Sequence, residues 1–165
     1  KKIPYLGLCY GMQLAVVSFA RGVLGWKDAN TTENNPKSSH PVIHLMPHQK
    51  EFMEKRAYGG TMRLGSWRAI VKKGTLAWEI YGKQALTSER HRHRYEFNDK
   101  FVKDFEKNGL IFSARSYDEG LAEIIELPKE DHPFFLGTQG HPEYKSRPLN
   151  PHPIFIAFIK ACSNK

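Results

Sequence analysis

Short apolar runs alternate with segments rich in Gly, Pro and Asn, and their lengths predict a mixture of strands and helices. Residues 3–8 form an apolar run without polar alternation, which is typical of a strand buried in a parallel sheet. Residues 12–21 form a longer run that suits a helix, with Gly22 placed to end it in a left-handed conformation. We therefore expect a strand followed at once by a helix.

The rest of the chain continues this pattern. Residues 30–61 are rich in Asn, Pro, Ser and His and are expected to be mostly irregular. A helix is predicted over 98–108, with Asn98 as its cap and Gly109 as its stop, and a closing helix over 154–159. Strands or extended segments are predicted at 42–45, 63–71, 75–80, 95–98, 110–116, 121–127 and 134–139.

These elements indicate an α/β fold of one domain, which 165 residues can fill with a sizeable core. The predicted arrangement has three layers, with a mostly parallel central sheet between helices. A buried strand that begins at the third residue needs neighbours on both sides. We therefore expect that earlier strands of the same sheet are missing from this chain.

Charge and cysteine content narrow the function classes. The net charge is +8, but the basic residues are scattered, so we expect a solvated basic face and no nucleic-acid partner. No stretch approaches the ~20 apolar residues that span a bilayer, so no membrane partner is expected. Cys9 and Cys162 are far apart, which excludes a disulfide framework and a four-cysteine zinc site and favours a reducing, cytoplasmic setting. His91 and His93 share a strand face, but no cysteine or carboxylate completes an obvious metal site.

A cysteine between glycines follows the first predicted strand, in Gly7-Leu8-Cys9-Tyr10-Gly11. A nucleophile on a sharp strand-to-helix turn needs a strained backbone, and flanking glycines avoid side-chain clashes there. The helix N-terminus is expected to lower the pKa of the Cys9 thiol. The backbone N–H of Tyr10 is free to stabilise an oxyanion. Cys9 is therefore a candidate nucleophile, with a buried structural cysteine as the alternative.

A second candidate segment, Gln139-Gly140-His141-Pro142-Glu143, ends another apolar strand. His141 can act as general base on a thiol and then as general acid toward a leaving amine. Glu143 can orient the imidazole, as the third member of a triad does. Because groups at the carboxyl ends of parallel strands meet in one crevice, we predict that Cys9, His141 and Glu143 form one site.

The two segments resemble the nucleophile elbow and the His-x-Glu pair of class I glutamine amidotransferases. Three further segments resemble those of the amidotransferase domains of CTP synthases, and the similarity runs nearly end to end. These segments are 30–33 (Asn-Thr-Thr-Glu), 60–65 (Gly-Thr-Met-Arg-Leu-Gly) and 90–98 (Arg-His-Arg-His-Arg-Tyr-Glu-Phe-Asn).

The resemblance implies that Cys9 attacks the carboxamide of L-glutamine and forms a thioester with loss of ammonia, without a cofactor for this step. It further implies that Glu33 meets the substrate's α-ammonium group and that Arg94 meets its α-carboxylate, which suits the bidentate geometry of arginine. Arg63 resembles a residue tied to activation by GTP. The remaining residues implied to line the glutamine site are Tyr10, Gly11, Met12, Gln13 and Tyr95.

The resemblance also implies partners that this chain lacks. In the complete enzyme, a synthase domain of the same polypeptide would use ATP and Mg²⁺ to aminate UTP to CTP, in a homo-oligomer such as a tetramer. This chain, residues 1–165, would be roughly the C-terminal two-thirds of the glutaminase domain. It lacks the Gly-rich loop that supplies a second oxyanion donor, so we expect weak activity or none from it alone, because losing one such donor costs on the order of 100-fold in rate.

Two alternatives remain open at this stage. A cysteine γ-glutamyl hydrolase on the same scaffold would use the same triad but release its product to solvent. A catalytically dead basic module, either binding or regulatory, would keep the fold without the chemistry. Activity on γ-glutamyl peptides but not on free glutamine would favour the first, and salt-dependent binding of oligonucleotides would favour a basic binding module.

Overall fold

The structure, a computed structural model, describes residues 2–45 and 62–163. The strands in this part of the chain are β1 (Tyr5–Leu8), β2 (Asn30–Thr31), β3 (Pro41–Leu45), β4 (Arg63–Val71), β5 (Leu86–His93), β6 (Tyr95–Phe97), β7 (Ile111–Ser116), β8 (Ala122–Glu126) and β9 (Phe135–Thr138). The helices are α1 (Tyr10–Gly22), α2 (Leu76–Ile80), α3 (Val102–Lys107) and α4 (Pro153–Ser163), with 3₁₀ turns at Asp99–Phe101 and Pro142–Tyr144. Gly60 and Thr61, which belong to the resembling segment 60–65, lie outside the described residues.

A six-stranded sheet in the order β1-β9-β8-β7-β4-β5 forms the centre of the fold. The pair β1 and β9 is parallel, with Leu8 opposite Thr138, and the other four pairs are antiparallel. The expectation of a mostly parallel sheet is therefore wrong for the described strands. The links from β7 to β8 and from β8 to β9 are too short for the helical crossovers that parallel neighbours usually require. The longer link from β4 to β5 contains α2, and these two strands are antiparallel as well.

A smaller sheet, in the order β2-β3-β6, packs beside the first. Strands β2 and β3 are parallel, and β3 and β6 are antiparallel. Because β5 ends at His93 and β6 begins at Tyr95, the chain passes from the large sheet to the small one at Arg94. This places Arg94 at the junction of the two sheets.

Helices cover both faces of the central sheet, so the three-layer arrangement is confirmed. On one face, α1 packs with the small sheet and α3 in an aromatic cluster that includes Phe97, Phe105 and Phe112. On the other face, α2 and α4 pack on residues such as Phe134 and Leu136. In the described part of the chain, no helix combines the length and the apolar character needed to cross a bilayer.

Two local predictions are wrong, and one cap is confirmed. Residues 76–80 are helical rather than extended, because the Thr75 hydroxyl accepts the N–H of Trp78 at 3.1 Å and caps α2. Gly22 is the last residue of α1, but it does not adopt the expected left-handed conformation, and Val23 follows it as the cap. Asn98 is a cap, as expected, since its side chain accepts the N–H of Lys100.

Candidate active site

Cys9 lies on the sharp turn between β1 and α1 that the sequence predicts. Its backbone has φ +47° and ψ −102°, a conformation that costs a non-glycine residue on the order of 1–3 kcal/mol. The N–H of Cys9 donates to the carbonyl of Thr138 at 2.7 Å, which continues the β1–β9 pairing by one residue. The sheet thus holds the strained turn from below, while α1 begins directly after it.

The two flanking glycines have different roles. A Cβ on Gly7 would lie 2.8–2.9 Å from the backbone of Gly11 and Met12, so only glycine permits the close approach of α1 to β1. A Cβ on Gly11 would meet only the Tyr5 hydroxyl, at 3.9 Å. The expectation that both glycines relieve clashes therefore holds at Gly7 and fails at Gly11.

The Cys9 sulfur is half-buried and has two donors. The backbone N–H of Tyr10 is one, and the side-chain amide of Gln139 is the other, with Nε2 3.5 Å from Sγ. Burial nevertheless raises the pKa of the Cys9 thiol, and the carboxylates of Glu143 and Glu96 add to this effect. The expectation of a lowered pKa is wrong for this structure, because the loss of hydration outweighs the two donors. A thiol with a raised pKa needs a base before it can attack as a thiolate.

His141 and Glu143 are placed to supply that base. The Nδ1 atom of His141 lies 2.6 Å from Oε1 of Glu143, so the carboxylate fixes the proton on Nδ1 and leaves the lone pair on Nε2. Nε2 is buried and has no hydrogen-bond partner among the described residues. The His141 ring also stacks on Tyr144, and the backbone N–H of His141 donates to the carbonyl of Arg90 at 2.7 Å.

The parallel pairing of β1 and β9 brings this base to the side of the sheet that carries the thiol. Leu8 is opposite Thr138, so Cys9 lies beside Gln139, and His141 follows two residues later. The ends of these two neighbouring strands thus carry a half-buried thiol and an imidazole nitrogen that has no hydrogen-bond partner among the described residues. Thiol activation requires such a base within hydrogen-bond reach of the sulfur.

Gln139 is a site residue that the sequence analysis did not single out. It is fully buried, and its Oε1 accepts a hydrogen bond from Nε2 of Gln13 at 3.2 Å. The same Nε2 of Gln13 donates to the carbonyl of Tyr95 at 3.0 Å. The sequence signal that could have identified Gln139 is its position as a polar residue at the end of an apolar strand, shortly before the His-Pro-Glu segment.

The structure brings Glu33 and Arg94 to one neighbourhood. Both affect the pKa of the Tyr95 phenol. Burial raises this pKa, Glu33 raises it further and Arg94 lowers it. The side-chain amide of Asn34 donates to the Tyr10 hydroxyl at 2.9 Å and so ties the Glu33 loop to the Cys9 turn. An anion and a cation thus lie on the Tyr10 and Tyr95 side of the site.

The remaining expected glutamine-site residues are engaged in the fold. Met12 is fully buried beneath Gly137, so its side chain belongs to the core and only its backbone could face a ligand. The Gly11 carbonyl accepts a hydrogen bond from the Tyr5 hydroxyl at 2.9 Å. Gln13 is also buried, within the amide contacts to Tyr95 and Gln139.

Arg63 is buried in an ion-pair network. Its guanidinium donates to Glu96 at 3.2 Å and to Glu123 at 2.8 Å. His91 and His93 complete this network, with Nδ1 of His91 2.8 Å from Nε2 of His93. The two imidazoles, for which metal binding was weighed, thus bond to each other, and no group of three candidate metal ligands occurs in residues 2–45 and 62–163.

Comparison with known proteins gives consistent matches. The family model for glutamine amidotransferase class-I matches residues 1–161. The chain is 58% identical to the CTP synthase of Caldanaerobacter subterraneus over 163 residues, which is 99% of this chain and 29% of that protein. It is 53% identical to the CTP synthase of Thermus thermophilus, covering 98% of this chain and 29% of that protein. The chain thus spans under a third of the curated relatives that it matches.

Solved structures agree with this result. The glutaminase domain of Trypanosoma brucei CTPS with bound acivicin superposes with a TM-score of 0.89 at 37% identity, covering 99% of this chain and 61% of that chain. A Thermoplasma acidophilum protein assigned as a GMP synthase subunit superposes with a TM-score of 0.59 at 17% identity, a likeness of fold alone, over 99% of this chain and 59% of that chain. The family match and the strained cysteine turn lead to one conclusion: this chain belongs to the class I glutamine amidotransferase family.

Proposed function

We propose that this chain is the glutaminase part of a CTP synthase and hydrolyses L-glutamine to glutamate and ammonia through a thioester on Cys9. The observation that carries the proposal is the strained Cys9 turn beside the end of β9. The segment after β9 carries a His141–Glu143 pair, and Nε2 of His141 has no partner within residues 2–45 and 62–163. The high identity to several CTP synthases supports the assignment within the family.

The residues suggest a mechanism in which His141 acts twice. Nε2 of His141 takes the thiol proton, and the Cys9 sulfur attacks the side-chain carbonyl carbon of glutamine. The N–H of Tyr10, which already donates to the sulfur, stabilises the oxyanion. The imidazolium then gives its proton to the leaving nitrogen, and the C–N bond breaks to release ammonia. Water, deprotonated by the same imidazole, cleaves the thioester to glutamate and regenerates the thiol.

Substrate recognition follows from the charge of a free amino acid. Glu33 would bind the α-ammonium group and Arg94 the α-carboxylate, next to the Tyr95 phenol that both of them influence. Tyr10, Gly11, Met12 and Gln13 would complete the pocket, Met12 through its backbone. The zwitterionic end of glutamine would pair with both Glu33 and Arg94. A γ-glutamyl peptide carries the same charged end and differs from glutamine only at the leaving group.

The activity of the whole enzyme is proposed from the relatives, which are more than three times as long as this chain. Ammonia would pass to a synthase domain that uses ATP and Mg²⁺ to aminate UTP, in a homo-oligomer such as a tetramer. GTP would act as an activator. Since Arg63 is buried between Glu96 and Glu123, its proposed part in GTP activation would run through these ion pairs and not through contact with the nucleotide.

A single labelling experiment tests the proposal. Acivicin, which is bound in the Trypanosoma brucei domain, is incubated with the full-length protein that carries this chain, and peptides are mapped by mass spectrometry. We expect one equivalent on Cys9 and protection by L-glutamine. Labelling of Cys162 instead, or none on Cys9, would contradict the assignment.

A substrate panel separates the proposed activity from the γ-glutamyl hydrolase alternative. We expect ammonia release from free glutamine and little turnover of γ-glutamyl peptides. The reverse preference would favour the hydrolase. A full-length protein that releases no ammonia at all, yet binds oligonucleotides with a steep salt dependence, would favour the binding module.

A further inference from the structure

A chain of two side-chain amides runs from the backbone of β6 to the Cys9 sulfur. Nε2 of Gln13 donates to the Tyr95 carbonyl at 3.0 Å and to Oε1 of Gln139 at 3.2 Å. Nε2 of Gln139 in turn lies 3.5 Å from the Cys9 sulfur. Gln13 is 4% exposed and Gln139 is 0% exposed, so water does not compete for these bonds.

The direction of this chain is set by its first member. A backbone carbonyl can only accept, so Gln13 must present its NH₂ group to Tyr95. The second hydrogen of that NH₂ group points to Gln139, which must therefore present its oxygen. Gln139 is left with only its NH₂ group for the sulfur. The Tyr95 carbonyl thus determines, through two amides, that the sulfur receives a donor and not an acceptor.

We propose that Gln13 and Gln139 form an oriented amide relay that positions the Cys9 sulfur and stabilises its thiolate during the proposed glutaminase reaction. Gln139 touches the reacting sulfur directly, and Gln13 is a positioning residue that acts through Gln139. The backbone supports the relay, since the N–H of Gln139 donates to the Glu123 carbonyl at 2.8 Å. The inference rests on the proposed function for the role of the thiolate, whereas the relay geometry does not depend on it.

A donor is useful here because the other surroundings disfavour the thiolate. The sulfur is half-buried, and the carboxylates of Glu143 and Glu96 are both close enough to oppose a second negative charge. From α1 the Tyr10 N–H faces the sulfur, and His141 lies on the segment after β9. A hydrogen bond to a charged group contributes more than one to a neutral group, so the Gln139 amide has its largest effect on the ionised sulfur.

The test follows the pH dependence of Cys9 alkylation by iodoacetamide, in the full-length protein, with peptides mapped by mass spectrometry. Gln139→Met keeps the length of the side chain and removes the donor, so the midpoint of the Cys9 profile should move up by about one pH unit. Gln139→Glu replaces the donor with a carboxylate and should move it further. Gln13→Met frees Gln139 to turn and should shift the midpoint in the same direction by a smaller amount.

Two controls isolate the relay from general damage. Cys162 on α4 serves as an internal reference, and its profile should be the same in every variant. Ser113→Ala removes another buried polar group, outside the relay, and should leave the Cys9 profile in place. Thermal unfolding of each variant shows whether the fold is intact, and Gln13→Met carries the test if Gln139→Met does not fold.

The outcomes are distinct. The relay is overturned if the Cys9 profile is unchanged in a folded Gln139→Met variant. If Gln139→Met does not fold, an unchanged profile in folded Gln13→Met overturns it instead. Failure of the proposed function looks different, because wild-type Cys9 would then show no labelling by acivicin and no ammonia release would occur. A relay that shifts the alkylation profile while the protein lacks glutaminase activity would separate the two conclusions.

Discussion

Individual residues at the elbow show how local stereochemistry serves the site. Cys9 keeps a positive φ that few non-glycine residues adopt, and it does so because Gly7 lets α1 approach β1 closely. Glycine is thus required two residues before the strained residue, near the end of β1, and not at the strained position itself. The strain persists because the β1–β9 pairing and α1 together fix the turn.

Gly7→Ala should destabilise the protein by about 1–3 kcal/mol, because its Cβ would lie within 3 Å of backbone atoms that cannot move independently. Urea unfolding provides the measurement. Gly11→Ala is the matched control, since its Cβ meets only the Tyr5 hydroxyl at 3.9 Å, and it should cost less than about 0.5 kcal/mol. Equal losses for both variants would show that the close approach at Gly7 is not what requires glycine.

Arg94→Ala should raise the KM for glutamine about 10- to 100-fold in the full-length enzyme, because a charged bidentate contact to the α-carboxylate would be lost. Arg92→Ala is the control, since Arg92 is an exposed neighbour on β5 and should leave KM unchanged. Steady-state kinetics of ammonia release measure both. An unchanged KM in Arg94→Ala would remove Arg94 from the substrate site.

At the scale of the elements, buried charged groups link strands of the large and the small sheet. Arg63, His91, His93, Glu96 and Glu123 link β4, β5, β6 and β8. Burial lowers the pKa of His91 to about 2 and of His93 to about 3, with the Arg63 charge acting in the same direction. Burial also raises the pKa of Glu96 to about 8, against the attraction of Arg63.

A stability prediction follows for acidic pH. In the unfolded chain each histidine binds a proton below about pH 6.5, whereas the folded protein keeps His93 neutral down to about pH 3. The unfolded state thus binds more protons in this window, so His93 makes the free energy of unfolding fall as the pH is lowered from 6.5 toward 3. His93→Gln should reduce that slope by up to about 1.4 kcal/mol per pH unit.

Urea unfolding at several pH values between 7 and 4 measures this slope. His132→Gln, which removes a histidine from the loop before β9 and outside the network, is the matched control. Parallel stability curves for wild type and His93→Gln across this window would contradict the assignment of neutral, buried imidazoles.

The whole molecule brings together residues that are far apart in the chain. Cys9 and Gln139 are separated by 130 positions, and Gln13 reaches Tyr95 across 82 positions. The site thus exists only when β1, β6 and β9 are assembled, and its chemistry is proposed as one part of a larger enzyme that makes CTP.

At this scale the decisive variant is Cys9→Ala in the complete enzyme. It should abolish CTP formation from glutamine, because no thioester can form, and leave CTP formation from added ammonia intact. Spectrophotometric measurement of CTP with each nitrogen source provides the readout. Loss of both activities together, with the fold preserved, would show that glutamine hydrolysis is not a separate step.

The sequence by itself was sufficient to predict the elements and motifs that depend on neighbouring residues. The strand before Cys9, the helix after it and the Asn98 cap each depend on neighbouring residues. The resemblance of the motifs to class I amidotransferases indicated the family, which the family match confirmed. The roles of Cys9, His141, Glu143, Glu33 and Arg94 stay predictions until the experiments above are done.

Only the tertiary structure decided the properties that depend on distant contacts. Strand direction in the central sheet, the burial of Arg63 and the raised pKa of the Cys9 thiol all arise from groups far apart in sequence. The contact of Gln139 with both Gln13 and the sulfur belongs to the same class. The physical reason is that conformational preference acts over a few residues, whereas burial, hydrogen-bond direction and electrostatic balance are set by whatever the folded chain places within a few ångströms.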